Sequence, residues 1–177
     1  MNSGKAMRLF IATPLSNTTQ AEVLQYQPPT AEGARLLRPE LLHMTLQFIG
    51  EAEPKVVSQA LQNIQFNAFS THFTQTGVFS PKKSKNILWL GLALNDDLAR
   101  LQKMISHSLR EAGIKIDSRL FTPHITLAHC KHSMDKAYID AFVNQEPIAW
   151  PYQINQFHLY RSHNKGGQLH YDIIESY

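Results

Sequence analysis

Two short segments of the chain each carry a histidine and a threonine two residues apart. The first is Leu42-His43-Met44-Thr45-Leu46, and the second is Pro123-His124-Ile125-Thr126-Leu127. Both alternate polar and apolar residues, which is typical of a strand with one buried face. Residues two apart on a strand point to the same face and lie about 6.6 Å apart along it. The pattern therefore predicts two strands that each present one His and one Thr on a shared face.

Two such faces on opposite sides of a phosphodiester would suit acid–base chemistry. Because the ordinary His pKa is about 6.5, a neutral imidazole can accept a proton from water while an imidazolium donates one to a leaving oxygen. Threonine hydroxyls can donate hydrogen bonds to the non-bridging phosphate oxygens. This scheme requires no metal. The alternative, two purely structural histidines, leaves the threonine that accompanies each of them unexplained.

Length and composition indicate an ordinary globular domain. A chain of 177 residues can bury a core large enough to fold without disulfide bonds or metal ions. Of its residues, 43% are hydrophobic and 18% are charged. The single cysteine, Cys130, excludes a disulfide framework and predicts a reducing cytoplasm. The chain has no apolar run near the roughly 20 residues of a membrane span, and the polar residues 1–6 are unlike a signal peptide. The net charge of +3 permits a polyanion partner without requiring one.

Hydrophobic periodicity predicts alternating strands and helices. Helices are expected after the caps at residues 16–18, from Pro54, after Asn95 and after Asp135. The unit of strand, helix, motif strand, helix and strand recurs in each half, which predicts an internal duplication with two sheets around a shared cleft. The predicted strands are 7–12, 41–49, 66–79 (one or two strands), 87–92, 121–128, 150–160 and 168–174, with turns at 81–86 and 162–167.

Four segments in this order, residues 7–12, 42–51, 88–91 and 121–128, resemble the signatures of the 2H phosphoesterases. Within them the chain is most similar to the RNA 2′,3′-cyclic phosphodiesterases, historically called 2′-5′ RNA ligases. The resemblance spans about residues 7–174. It implies an α+β fold of two pseudo-symmetric antiparallel-sheet lobes, with outer helices around a central cleft. Residues 1–177 would then form one domain with a polar extension at 1–6.

The resemblance also implies an activity, the opening of a terminal RNA 2′,3′-cyclic phosphate to a 2′-phosphomonoester without a metal or cofactor. His43 would protonate the departing 3′ oxygen, His124 would activate water, and Thr45 and Thr126 would bind the phosphate. The expected partner is RNA with such ends, tRNA fragments being one source, and the expected state is a cytoplasmic monomer that does not bind membranes. Two alternatives stay open. One is a 2H enzyme acting on 2′-5′ linkages or small cyclic nucleotide phosphates, and the other is a non-catalytic module that binds RNA ends.

Two positions depart from the pattern that the resemblance implies. The family often has a basic residue directly after the second motif, where this chain has His129, so phosphate binding there falls to His129 or Lys131, or is weaker. Gln47 stands where a lysine is frequent, and strict alternation places it on the face of His43. Arg119 is a further candidate substrate contact, and its alternative is a surface arginine without a special role.

Other residues have simpler structural interpretations. Phe10 and Phe48 could stack on a nucleobase, but aromatic residues in such apolar strands are expected in the core. His129, Cys130 and His132 match no common zinc spacing, so no metal site is expected.

Overall fold

The computed structural model describes residues 5–82, 84–117, 119–146 and 150–177. Most of the predicted extension at 1–6, and Lys83 of the predicted turn, lie outside the described residues. The helices are α1 (Asn17–Leu24), α2 (Pro54–Leu61), α3 (Asp96–Glu111) and α4 (Lys136–Val143), with a short 3-10 helix at Pro39–Leu41. The strands are β1 (Met7–Pro14), β2 (Ala34–Leu36), β3 (His43–Ala52), β4 (Phe69–Phe79), β5 (Asn86–Leu92), β6 (His124–Cys130), β7 (Pro151–Ile154), β8 (His158–Lys165) and β9 (Gln168–Ser176).

The strands of the described residues form one nine-stranded antiparallel sheet. Its order is β7-β4-β5-β6-β3-β1-β8-β9, and β2 pairs additionally with β6. Each half of this order has four strands, and the motif strands β6 and β3 meet at its centre. This arrangement confirms the predicted α+β fold with two lobes, although the two predicted sheets are joined at the motif strands into one. No helix in the described ranges is long and apolar enough to span a membrane.

A single residue pair, Met44 opposite Ile125, joins the two motif strands. Each of these residues lies between the His and the Thr of its own motif. The pair therefore sets the two His-x-Thr segments side by side, in antiparallel orientation.

The longest helix, α3, shows why the apolar pattern positions the elements around the sheet. Asn95 caps its first turn by accepting a hydrogen bond from Leu98 N, and the positive φ of Gly113 follows its end. Its apolar residues recur at intervals of three and four residues, so they share one face. Burial of each one contributes about 2 kcal/mol to the free energy of unfolding. This face packs toward β3 and α2 and consists of Leu98, Leu101, Ile105 and Leu109.

The C-terminal segment differs from its prediction in two respects. The expected strand at 150–160 is divided into β7, which pairs with β4, and β8, which pairs with β1 in the other half of the sheet. The expected turn at 162–167 is shorter, because β8 continues to Lys165 and only Gly166 and Gly167 form the turn. Both strands contain buried residues, and the sequence of neither strand reveals which neighbour it pairs with.

Candidate active site

Both motif strands begin at the histidine of the motif, two and three residues later than the predicted starts at 41 and 121. In β3, Met44 and Leu46 are buried, whereas His43 and Thr45 keep part of their surface accessible. In β6 the apolar positions 125 and 127 are buried, and the polar positions 124 and 126 are partly accessible. The His and Thr of each motif therefore share a face, and the residues between them enter the core.

A β-bulge follows the threonine in β3. The pairing of β3 with β1 shifts by one residue between Thr45 and Gln47, which leaves Leu46 as the extra residue. A bulge displaces the alternation of side chains by one position. The prediction that Gln47 shares the face of His43 is therefore wrong, and Phe48 takes that place.

The surroundings of residues 47 and 48 agree with this displacement. Gln47 is buried, and its Oε1 accepts hydrogen bonds from Ser106 Oγ at 2.9 Å and Gln102 Nε2 at 3.2 Å on α3. Phe48 is 38% exposed, so the expectation of a core residue is wrong for it, and the Arg8 guanidinium carbon lies 4.8 Å from its ring centre. Phe10, at 4% exposure, is in the core as expected.

The same irregularity occurs in β6. Its pairing with β5 shifts between Thr126 and Ala128, so Leu127 is the extra residue. The bulge brings His129 onto the face of His124 and Thr126, whereas strict alternation would have turned it away.

At His129 the neighbouring cations come from β2 and from the residue that precedes β5. Arg35 of β2 lies directly opposite His129, and burial together with Arg35 and Lys85 lowers the His129 pKa. Lys131 is exposed beyond β6, where its backbone N–H donates to Gly33 O at 2.9 Å.

The three residues weighed as metal ligands do not converge. Cys130 is fully buried in the core, and His132 is exposed beyond the end of β6. Within the described ranges of the chain, no three His, Cys, Asp or Glu side chains form a metal-binding group.

The two motif histidines are oriented by equivalent hydrogen bonds. His43 Nδ1 lies 2.7 Å from Leu41 O, and His124 Nδ1 lies 2.7 Å from Thr122 O. Because a carbonyl only accepts, Nδ1 carries the hydrogen in each ring, and Nε2 of the neutral imidazole keeps its lone pair. In His43 that nitrogen is 3.0 Å from Thr45 Oγ1, so the hydroxyl donates to it.

Aromatic rings surround His43. The ring centres of Phe10, Tyr171 and Tyr160 lie 4.9, 5.2 and 6.4 Å from that of His43. Burial lowers the His43 pKa to about 4, the hydrogen bond to Leu41 O opposes this change, and the charge of His124 adds to it.

His124 also has aromatic neighbours, which lie on β4 and β5. Phe79 approaches edge-on at 5.0 Å between ring centres, and Trp89 lies at 6.2 Å. Burial lowers the His124 pKa as well, and the hydrogen bond to Thr122 O opposes it. Gly77 lies opposite Trp89, where a Cβ atom would come within 2.2 Å of the indole ring. A residue without a side chain is therefore needed to accommodate this indole.

A cavity of about 700 Å³ opens beside the two motifs. Thr45, His124 and Arg119 are among its lining residues, and Phe48 and Leu120 contribute apolar wall. The Arg119 side chain is 85% exposed, and its Nε and Nη2 each lie 2.6 Å from Asp117 Oδ2. The cavity thus combines polar groups with an apolar wall, as ligand sites commonly do.

Arg38 is a further residue near the site that was not predicted from the sequence. Arg38 precedes His43 by the same five residues that separate Arg119 from His124, a spacing that could have revealed it. Its Nη1 donates to Gln168 Oε1 at 2.9 Å and its Nη2 to Leu169 O at 2.5 Å. Arg38 thereby anchors the β8–β9 hairpin, which carries two of the rings around His43.

Comparison with known proteins identifies the family. The family model of the 2′-5′ RNA ligase superfamily matches residues 15–166. The chain belongs to this superfamily. An RNA 2′,3′-cyclic phosphodiesterase of Thermotoga maritima is 28% identical to it over 138 residues, 73% of each chain. A protein of the same name from Escherichia coli is 26% identical over 176 residues, 95% of this chain and 94% of the other.

A solved structure has the same fold as this chain. The crystal structure of E. coli LigT in apo form matches with a TM-score of 0.77 and 25% identity, and the match covers 98% of both chains. The resemblance predicted from the four sequence segments is confirmed, and the chain is an enzyme of the 2H phosphoesterase class.

Proposed function

We propose that this enzyme hydrolyses the terminal 2′,3′-cyclic phosphate of RNA and leaves a 2′-phosphomonoester. The observation that carries the proposal is the pairing of Met44 with Ile125, which sets two His-x-Thr faces side by side. Thr45 of one motif and His124 of the other line the same cavity. The RNA 2′,3′-cyclic phosphodiesterases among its relatives support the same substrate.

In the proposed reaction the cyclic phosphate lies between the motifs. When His43 Nε2 is protonated it no longer accepts from Thr45, so the hydroxyls of Thr45 and Thr126 both donate to the non-bridging oxygens, where negative charge grows in the transition state. His124 Nε2 removes a proton from water as the water oxygen bonds to phosphorus. His43 donates a proton to the 3′ oxygen as its bond to phosphorus breaks, so the phosphate stays on the 2′ oxygen. Arg119 and His129 are proposed as further phosphate contacts.

The acid must gain its proton in the complex. With a pKa of about 4, His43 is neutral at pH 7 in the free protein. A phosphodiester anion beside the ring favours its charged form and therefore raises the pKa. Binding of the substrate anion thus prepares His43 to act as the acid.

The exchanged assignment, with His43 as base and His124 as acid, is the competing hypothesis. The pKa of about 4 at His43 favours it, because a neutral imidazole is what a base requires. A substrate with sulfur in place of the 3′ oxygen separates the two assignments, since a thiolate leaves without protonation.

The test of the function uses a short RNA with a 2′,3′-cyclic phosphate in EDTA. Wild type, His43→Ala and His124→Ala are compared, and His132→Ala serves as the control because His132 is exposed outside the cavity. We expect a 2′-phosphate from wild type and the control, and a loss of at least about a hundredfold in rate in each motif variant. A rate that requires added divalent metal would contradict the proposal.

The same assay distinguishes the alternatives. Turnover only of 2′-5′-linked oligonucleotides or small cyclic nucleotide phosphates would indicate a 2H enzyme with another substrate. RNA that is bound but unchanged by every variant would indicate a binding module. The monomeric state, the cytoplasm and tRNA fragments as the source of RNA ends stay predictions.

We also propose that the two lobes of this single domain arose by internal duplication. The support is that the matched features occur at equal offsets from each histidine. They are the arginine five residues before it, the carbonyl acceptor two residues before it and the bulge after its threonine.

A further inference from the structure

A second cavity of about 310 Å³ adjoins the one that contains His124. It lies between α3 and the segment that precedes β6, and it is lined mainly by polar side chains. Both cavities share Gln47, Gln102, Asp117, Arg119 and Phe121, and the smaller one adds Lys103, Ser106 and Arg110. We call the smaller one the side cavity. Since the two share five lining residues, a ligand in one can continue into the other.

The lining of the side cavity has an excess of positive charge. Lys103, Arg110 and Arg119 contribute three cations, whereas Asp117 is the one carboxylate among the described lining residues. That carboxylate already accepts hydrogen bonds from the Arg119 backbone N–H at 2.9 Å and from the Arg119 guanidinium at 2.6 Å. These hydrogen bonds lower the Asp117 pKa. The remaining charge favours an anion over a cation or a neutral group.

A network of hydrogen bonds holds the inner wall of the side cavity in place. Ser106 Oγ donates to Gln47 Oε1 at 2.9 Å, and Gln102 Nε2 lies 2.8 Å from Ser106 Oγ. Gln47 and Ser106 are 7% and 4% exposed. Positions 102, 106 and 110 recur every fourth residue on α3, so they form one polar stripe along the cavity. Polar groups fixed in this way can meet phosphate oxygens at little cost in conformational entropy.

We propose that the side cavity binds the phosphate on the 5′ side of the terminal nucleoside of the RNA. This inference rests on the proposed function, and it adds that the enzyme selects polynucleotide ends over nucleoside 2′,3′-cyclic phosphates. Every RNA chain carries a phosphodiester at that position, whereas a nucleoside 2′,3′-cyclic phosphate lacks it. With the cyclic phosphate at His124, the terminal ribose spans the residues that the two cavities share. Lys103 and Arg110 then contact the next phosphate by charge-assisted hydrogen bonds.

The experiment compares three substrates that differ at this phosphate. They are adenosine 2′,3′-cyclic phosphate, the same compound with a 5′-phosphate, and the dinucleotide ApA with a 2′,3′-cyclic phosphate. We expect kcat/KM to rise about tenfold or more from the first to the second, since charge-assisted bonds are the stronger class. The dinucleotide should share this gain.

The variants locate the contact. We expect the double variant Lys103→Gln and Arg110→Gln to reduce the gain from the 5′-phosphate about tenfold. Arg100→Gln is the matched control, because Arg100 lies on the same helix, is 70% exposed and is outside the lining. Thermal unfolding of each variant verifies that it folds. Because Arg35 lies near His129 on the other side of the motifs, Arg35→Gln tests a competing path for the RNA.

The outcomes separate this proposal from the function on which it rests. Hydrolysis of all three substrates at equal efficiency would overturn the side-cavity proposal and leave the enzymatic function intact. A gain present only in the dinucleotide, or lost in Arg35→Gln and kept in the double variant, would also overturn it. No hydrolysis of any substrate would overturn both. A gain with the 5′-phosphate that the double variant alone removes would establish the site.

Discussion

The enclosure of His43 predicts a specific dependence of stability on pH. The fall of its pKa from 6.5 to about 4 means that the folded protein disfavours the imidazolium. At about 1.4 kcal/mol per pKa unit this corresponds to about 3 kcal/mol, and the water that reaches part of the ring in the cleft reduces it to about 2–3 kcal/mol. The change to make is His43→Gln, which removes the titrating group.

The sign follows from proton binding. Between pH 6.5 and pH 4 the unfolded chain binds a proton at His43 that the folded protein does not, so the free energy of unfolding falls as the pH falls. Above pH 6.5 both states are neutral at this residue and the effect is absent. Below pH 4 both states are protonated and the full cost has been reached.

The assay is urea unfolding of wild type and His43→Gln, followed by tryptophan fluorescence at pH 7, 6, 5 and 4. We expect wild type to lose about 2–3 kcal/mol more than the variant between pH 7 and pH 4. His107→Gln is the control, since His107 is exposed on α3. The difference between variants isolates His43 from other groups, including His124.

Two results would refute this reasoning. One is a difference between wild type and His43→Gln that stays constant across the pH range. The other is a titration of the His43 ring near pH 6.5 in the NMR spectrum of the free protein. Either would mean that the aromatic surroundings of His43 do not desolvate it.

Three further predictions follow from the same contacts. With a 3′-bridging sulfur substrate, His43→Ala should regain most of its lost rate relative to wild type while His124→Ala does not, and the reverse pattern would exchange the acid and the base. Gly77→Ala should lower the free energy of unfolding by about 1–3 kcal/mol in urea unfolding. It should also lower kcat, because the new Cβ would displace Trp89 from beside His124. Unchanged stability and kcat would contradict this prediction. Arg38→Gln should speed amide hydrogen exchange in the β8–β9 hairpin. Arg38→Lys should restore the protection of these amides only in part, since lysine lacks the second donor group. Protection equal to wild type in both variants would exclude the anchoring role.

Local pattern was sufficient for the helices, for most of the strands and for the placement of the four motif residues. The polar–apolar alternation around His43 and His124 depends only on neighbours in the chain, and it correctly places each His and Thr on one accessible face. The leucine spacing of α3 is equally local, and it correctly indicates the buried side of the helix.

Residues that follow each motif show where this local reasoning ends. Gln47 turns toward α3 and His129 turns toward the cleft because a bulge shifts the register in each motif strand. A bulge is a property of two paired strands, and the sequence of one strand does not encode it alone.

The sequence by itself therefore determined the family, the two motifs, the helices and most of the strands. Only the tertiary structure decided which strands pair, how the segment at 150–160 divides between the lobes, and that Arg38 reaches Gln168. It also decided that burial lowers the His43 pKa and that α3 adds a cationic side cavity to the site. The physical reason is that burial, register and charge density arise from residues far apart in the chain, which no local periodicity records.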